Sequence, residues 1–478
     1  IGDINGAIRS LSRAIGSTRR ILNESVYVDG WLARRIRRSG ERYHLSTEAL
    51  DDACTRLGIL VRRLADRDNF LEHLHAGSLE AEWLEQLGHD MARFHSRAER
   101  NPALPYGSVD TVARNALDNF EQSRSQVGKT VHRLVFDSLR LRTEEMLSRH
   151  EEMIAARDAN GTTCDTHGDL RLEHVYRCDG ELIVVDCIEF NEAFRYADPV
   201  ADAAFLAMDL RVRWETQLAA TFVDAYFAAS ELGGRELLDF YVAYRSAVRA
   251  KVHGVTAMEA EIDEATRERA IYKSRAHWLF ALSTLSRPAE RPALVLLAGL
   301  PGTGKSTLAG YASDELGFDV LDSDVVRKEL AGCEPHGGEE GKLDGGIYTP
   351  EWTQRTYQAC LDRAADALFE GRRVLVEATF RASAWREEFL RAAQARGVTA
   401  VMIECTLPPD EARRRLDARR GDVSDAGRAV YEHLAASWEP SSKWVDRWRR
   451  QVETTSRAES KAQFVEVLSE FGLLSVEV

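Results

Sequence analysis

The run Gly299-Leu300-Pro301-Gly302-Thr303-Gly304-Lys305-Ser306-Thr307 constrains this chain more than any other segment. Its first eight residues satisfy the pattern G-x-x-x-x-G-K-[ST] in full. The continuous apolar stretch Ala293–Ala298 comes directly before it, and a stretch of helical character, Lys305–Leu316, overlaps its end. A short apolar run ended by glycine reads as a buried parallel strand. The glycines let the following loop turn its backbone N–H groups inward, where they and the helix N-terminus cradle phosphate oxygens. The expected nucleotide contacts are therefore Gly299, Gly302, Thr303, Gly304, Lys305, Ser306 and Thr307. Lys305 is expected at the β- and γ-phosphates of ATP, and Ser306 is expected to give an oxygen to Mg2+.

Strands and helices alternate beyond this loop. The strand candidates are Leu294–Ala298, Asp319–Asp322, Val374–Ala378 and Ala400–Glu404; the helix candidates are Lys305–Leu316, Thr353–Phe369, Ala384–Arg396 and Asp410–Arg419. This order predicts an α/β domain with a parallel sheet and helices on both faces. Ligands of such sheets bind at the carboxyl ends of the strands. Asp322, Asp324 and Arg327 follow one strand. Asp322 reads as a helix N-cap. Asp324 and Arg327, three apart, share a helix face. There a carboxylate can take the proton of a substrate hydroxyl, and an arginine can hold a phosphate or carboxylate. Glu377 ends the strand Val374–Ala378, where a carboxylate would help to order Mg2+; Thr379 either contacts phosphate or caps a turn.

From Leu294 to about Leu434 the chain resembles the P-loop kinase group of gluconate kinases, zeta toxins, chloramphenicol phosphotransferase and polynucleotide 5′-kinases. The Asp324-x-x-Arg327 pair is similar to the polynucleotide kinase pattern, which implies Asp324 as the base for the accepting hydroxyl and Arg327 as a substrate contact. Such kinases close an arginine-bearing lid over the transferring phosphoryl group. The arginine-rich segment Glu411–Asp422 is the lid candidate, with Arg415 and Arg419 on one face; a solvated helix face is the plainer alternative.

A linker is expected at 286–292, where two prolines and three charged residues fall together. Residues 1–285 before it read as mostly helical, with candidate helices Ser46–Arg67, Glu80–Arg97, Val109–Ser123, Gly128–Ala156, Ala203–Leu210, Arg213–Ala229 and Glu236–Ser283. One strand-like patch lies within Thr163–Glu189. It carries Thr166-His167-Gly168-Asp169, then Asp186, then Asp198-Pro199-Val200-Ala201-Asp202. A base-like aspartate followed, after a short hairpin, by a metal-binding aspartate is a phosphotransfer arrangement. From Ser46 to Arg249 the spacing resembles the aminoglycoside phosphotransferase and choline kinase group, whose fold is like the C-lobe of a protein kinase. The resemblance implies Asp169 as catalytic base and Asp186 as metal ligand. It also implies that His167 braces the loop, that Asp198 and Asp202 stabilise it, and that Arg195 neutralises nearby carboxylates. Two departures stand out. His174 occupies the place of the metal-binding Asn, and no glycine-rich hairpin with an ATP-pairing Lys is legible before Asp169. The tandem order as a whole resembles a bacterial family that fuses a phosphotransferase-like domain to a P-loop domain, here 1–285 and 293–478.

At 478 residues the chain is long enough for two or three domains. Its net charge of −14 argues against broad nucleic-acid binding. Seven cysteines without CxxC spacing argue against a zinc site or a disulfide framework. With no apolar span of membrane length and no leader, a cytoplasmic location is expected. The leading expectation is ATP- and Mg2+-dependent transfer of a phosphoryl group to a hydroxyl acceptor. A small molecule (sugar, polyol or antibiotic-like) ranks ahead of a nucleic-acid 5′ end, and a nucleotide-dependent switch with a pseudokinase module is the reading from another class.

Overall fold

The computed structural model describes residues 64–101, 103–188, 191–333, 346–418 and 427–475. They gather into two compact units. One takes the chain up to Ala116, with Glu145–Arg211 and Glu215–Arg245; the other takes Leu117–Glu144, Val212–Trp214 and the chain from Ser246 onward.

Up to Leu285 the elements are α1 (Phe70–His75), α2 (Ala81–Arg97), α3 (Val109–Ser123), α4 (Arg133–Ala159), β1 (Cys164–Asp165), β2 (Val175–Cys178), β3 (Glu181–Val184), α5 (Glu192–Arg195), β4 (Tyr196–Ala197), α6 (Pro199–Arg211), α7 (Thr216–Ala229), α8 (Leu238–Met258) and α9 (Glu264–Leu285). This part is mostly helical, as expected. The strand-like patch is two small antiparallel pairs, β1 with β4 and β2 with β3. The single helix expected over Glu236–Ser283 is two helices, broken between Met258 and Glu264, with Asp263 as N-cap of the second. Most of the expected helix Ser46–Arg67 lies outside the described residues.

Helices α2 and α7 pack closely because Gly88 faces α7. A Cβ there would lie 2.7 Å from the Phe222 carbonyl oxygen and 2.9 Å from the Ala225 Cβ. Between these helices and α6 runs a buried polar chain. His95 sits 3.2 Å from the Asp202 carboxylate through Nε2 and 2.9 Å from the Tyr226 hydroxyl through Nδ1. Burial opposes the Asp202 charge, but the hydrogen bond with His95, together with the nearby His167 and Arg245, outweighs it and holds the carboxyl below its usual value.

From Ala293 onward the elements are β5 (Ala293–Ala298), α10 (Lys305–Leu316), β6 (Asp319–Asp322), α11 (Ser323–Leu330), α12 (Pro350–Phe369), β7 (Arg373–Glu377), α13 (Ser383–Ala395), β8 (Thr399–Thr406), α14 (Pro409–Ala418), α15 (Arg428–Ala436), α16 (Lys443–Asp446), β9 (Arg449–Glu453) and α17 (Arg457–Glu470). The sheet has five strands, all parallel, in the order β6-β7-β5-β8-β9. All six residues of β5 are buried, which explains the unbroken apolar run: both edges are paired and both faces are covered. One face packs Val295 and Leu297 with Leu308, Ala312, Phe464 and Leu468. Among the described residues no helix is long and apolar enough to cross a membrane.

Two glycine substitutions test this packing. Gly88→Val should destabilise the protein by about 1–3 kcal/mol through the forced separation of α2 and α7. Gly310→Ala, in α10 where a Cβ meets nothing within 4 Å, should stabilise by about 0.5–1 kcal/mol. Urea unfolding of both variants checks the signs; a neutral Gly88→Val would contradict the close approach.

Candidate active site

The loop after β5 is set by glycines in backbone conformations closed to other residues. Gly299, Gly302 and Gly304 have φ of 145°, 81° and 84°. A Cβ on Gly299 would lie 2.8 Å from the Cys405 carbonyl oxygen and from the Thr303 hydroxyl. Thr303 donates its hydroxyl to the Leu300 carbonyl at 2.7 Å, and the Lys305 ammonium donates to the same carbonyl at 3.1 Å. The Ser306 hydroxyl donates to Glu377 Oε1 at 2.7 Å, so the two residues expected at Mg2+ meet side by side. Thr307 is exposed in the first turn of α10. The Thr379 carbonyl accepts from the Gly299 amide at 3.3 Å.

The carboxyl end of β6 lies beside that of β7, with Asp322 paired to Glu377 in register. Asp322 is the N-cap of α11, accepting from the amides of Asp324 and Val325 at 2.7 and 3.4 Å. Burial and the nearby Asp324 charge raise its carboxyl above the usual range. Arg327 is buried, at 6 % exposure. It donates to the Ile347 carbonyl at 3.0 Å and more weakly to the Thr353 hydroxyl at 3.4 Å, and lies 5.2 Å from the centre of the Tyr348 ring. Its Nε has no partner, and no carboxylate pairs with it among the described residues.

Arg415 lies close to the glycine loop: a Cβ on Gly304 would lie 3.7 Å from its guanidinium. Glu411 and the carbonyls of Thr454 and Thr455 hold it there. Arg419 lies outside the described residues. Sequence reasoning missed these holding groups, and also Tyr348 and Thr353, because most act through backbone carbonyls or ring faces that no side-chain pattern reveals.

In the helical unit, Asp202 accepts from the amides of His167 and Gly168 at 3.0 and 2.9 Å, so it fixes the loop that carries Asp169. His167 donates through Nε2 to the Val185 carbonyl at 2.8 Å and accepts the Asp169 amide at Nδ1. Burial lowers its pKa, which suits this neutral tautomer. Asp198 pairs in bidentate fashion with Arg157 at 2.6 and 2.8 Å, so it anchors the start of α6. Arg195 pairs with Asp165, and its carbonyl accepts from Thr166. Arg171 takes both carboxylate oxygens of Asp169, each at 2.9 Å. His174 donates through Nδ1 to the Asp169 carbonyl at 2.8 Å. Its Nε2 is 3.4 Å from Arg171 and 3.9 Å from Asp186, whose φ is 66°. His95, which supports Asp202 from α2, was not singled out in the sequence; its only signal is a histidine on the apolar side of an amphipathic helix.

Residues 25–241 match the model of a phosphotransferase enzyme family, and residues 294–441 that of an AAA domain. The uncharacterized protein Rv2004c of Mycobacterium tuberculosis is 33 % identical over 380 residues, 79 % of this chain and 75 % of the relative. An uncharacterized protein of Mycobacterium bovis matches to the same extent. The chain belongs to this family of tandem phosphotransferase and P-loop proteins. Among solved structures, a gluconokinase from Sinorhizobium meliloti is similar over 38 % of this chain and 94 % of its own, at 15 % identity and TM-score 0.28. A glucosamine kinase is similar over 42 % and 55 %, at 20 % identity and TM-score 0.28.

In the tandem phosphotransferase, Glu377 carries the clearest electrostatic signature. Burial pushes its carboxyl up to about 7, against the pull of Lys305. The folded protein therefore holds a proton there that the unfolded chain releases near pH 4.5, and metal-free stability should fall as pH rises from about 4.5 to 7. Glu377→Gln should remove that slope. It should stabilise the metal-free protein at pH 8 by on the order of 2 kcal/mol, with a smaller gain at pH 5. Thermal melts across this range in a chelator check it; an equal effect at both pH values would contradict the buried-carboxyl account.

Proposed function

We propose that the P-loop unit is an ATP- and Mg2+-dependent kinase that phosphorylates a hydroxyl group of a small molecule. The observation that carries this reading is the Ser306–Glu377 contact of 2.7 Å beside Lys305, with Asp324 and Arg327 on α11, the helix that follows the neighbouring strand β6. Ser306 and Glu377 are hard oxygen donors of the kind Mg2+ takes, and two protein ligands suit an ion that fills its shell with phosphate oxygens and water. Mg2+ held there would offset charge on the phosphates. Lys305 would turn from the Leu300 carbonyl to the β- and γ-phosphates. Asp324 accepts the acceptor's hydroxyl proton as the oxygen attacks the γ-phosphorus, the bond from that phosphorus to the β–γ bridging oxygen breaks, and ADP departs. Arg415, next to Gly304, would bear on bound nucleotide.

Arg327 favours an acceptor that carries a carboxylate or phosphate besides its hydroxyl. A buried guanidinium with no carboxylate partner among the described residues is costly unless an anion arrives. The net charge of −14 weighs against a polynucleotide acceptor. A second reading, a nucleotide-dependent switch with a silent helical module, draws support from the Asp169–Arg171 clamp and from His174. A carboxylate held at both oxygens is a weak base, and an imidazole whose lone pair faces a guanidinium is a poor Mg2+ ligand.

A screen of hydroxylated acceptors with γ-labelled ATP tests the kinase reading. Lys305→Ala should abolish transfer. Asp324→Asn should lower kcat by about 10²–10⁴-fold, and Arg327→Gln should act mainly by raising the KM of an anionic acceptor. Undiminished turnover in Lys305→Ala or Asp324→Asn would refute the assignment; ATP hydrolysis with no labelled acceptor would favour the switch.

A further inference from the structure

Glu377 ends β7, and the turn that follows is held from several sides. The ladder with β5 runs on past Glu377: the Ala378 amide donates to the Leu297 carbonyl at 3.2 Å, and the Thr379 carbonyl accepts from the Gly299 amide at 3.3 Å. Phe380 then takes a φ of 51°, a left-handed conformation that a side chain of this size seldom adopts. Its ring is fully buried. Its amide donates to the Tyr357 hydroxyl on α12 at 2.9 Å. Burial pushes the Tyr357 phenol up to about 12, so the hydroxyl keeps its proton and accepts through a neutral oxygen.

One side chain closes that turn. Arg386 on α13 is 0 % exposed. It donates through Nε to the Phe380 carbonyl and through Nη2 to the Arg381 carbonyl, each at 2.6 Å, so one planar fork spans two successive carbonyls. Nη1 donates to the Ser441 hydroxyl at 2.9 Å, and the guanidinium lies 4.6 Å from the centre of the Trp438 ring. The segment between α15 and α16 is thereby fixed to the same turn, where the Glu439 amide also donates to the Arg381 carbonyl at 3.2 Å. A guanidinium buried among neutral oxygens is costly, and burial lowers its pKa. Backbone strain and a buried charge thus coincide at the end of the strand that carries Glu377, and such features gather where a site needs fixed geometry.

We infer that Arg386 is a positioning residue for the P-loop site: through the Phe380 turn it fixes the end of β7, and with it Glu377 opposite Ser306. It acts through backbone carbonyls and not on the reacting groups. Groups that stand behind a metal ligand set its orientation, and their loss weakens the metal's hold. Lysine cannot take the place of Arg386, because a single ammonium does not span two carbonyls and a hydroxyl in one plane. The inference rests on the reading of Ser306 and Glu377 as the Mg2+ ligands of a kinase.

Titration of the full chain with an ATP analogue that carries a fluorophore on its ribose tests it, once in a chelator and once in saturating Mg2+. The parent should bind the analogue more tightly with Mg2+. Arg386→Met keeps an apolar stem and loses every donor; its Kd in Mg2+ should rise about tenfold, while its Kd in the chelator changes less than twofold. Tyr357→Phe loses only the hydroxyl that holds the Phe380 amide and should show the same pattern by a smaller factor. Melting temperatures near that of the parent confirm that the variants fold, and Arg386→Lys replaces Arg386→Met should the latter not fold. An unchanged Kd in Mg2+ overturns the inference and leaves the kinase reading standing. An equal loss with and without Mg2+ marks a merely structural role and overturns it too. A parent that gains affinity from Mg2+ but labels no acceptor overturns the kinase reading alone, and a parent that gains none overturns both.

Discussion

The burial of β5 on both edges and both faces is the constraint from which the rest of the P-loop unit follows. A strand paired in register with β7 and β8 cannot shift without exposing six apolar residues. Its last residue therefore delivers Gly299 to one place, at the carboxyl edge of the sheet. The loop then turns through three glycines at positive φ and enters α10 with Lys305 and Ser306 in the first turn. Because β7 lies next to β5, Glu377 arrives beside Ser306; because β6 lies next to β7, Asp322 and α11 follow. The cluster is a product of strand order, and only its side chains are specific to chemistry.

A buried carboxylate does the corresponding work in the helical unit. Asp202, fully buried on α6, takes two amides of the His167–Gly168 turn and is held by His95 from α2. Three segments far apart in sequence thus meet at one charge. Removal of such a group strands several donors at once, which is the costly direction of change for a buried network. The same loop presents Asp169, yet Arg171 from two residues on covers its carboxylate. Positioning of the loop and readiness for base catalysis are separate properties, and this unit has the first more plainly than the second.

Much of this was legible in the sequence where pattern and chemistry coincide. The apolar run Ala293–Ala298, the glycine spacing and the Lys305-Ser306 pair specify strand, loop and helix together. Asp322 is a cap, as its place before α11 implies. The edge strand β9 escaped notice for a physical reason. Arg449-Arg450-Gln451-Val452-Glu453 buries only Val452, and the charges that hide its strand character also protect an exposed sheet edge. The break between α8 and α9 was missed because helix-favouring residues flank it, so Asp263 was not recognised as a cap. Asp198 pairs with Arg157 on α4, a pairing across 41 residues that no local pattern encodes. The segment that contains Arg419 lies outside the described residues, as do residues 1–63.

The central claim is that phosphoryl transfer belongs to the P-loop unit and not to the Asp169 loop. The most direct measurement compares transfer of γ-label from ATP to acceptor by the full chain carrying either Ser306→Ala or Asp169→Ala. The account predicts that Ser306→Ala loses transfer, having lost the hydroxyl that faces Glu377, while Asp169→Ala retains it. Loss with Asp169→Ala and retention with Ser306→Ala would contradict it.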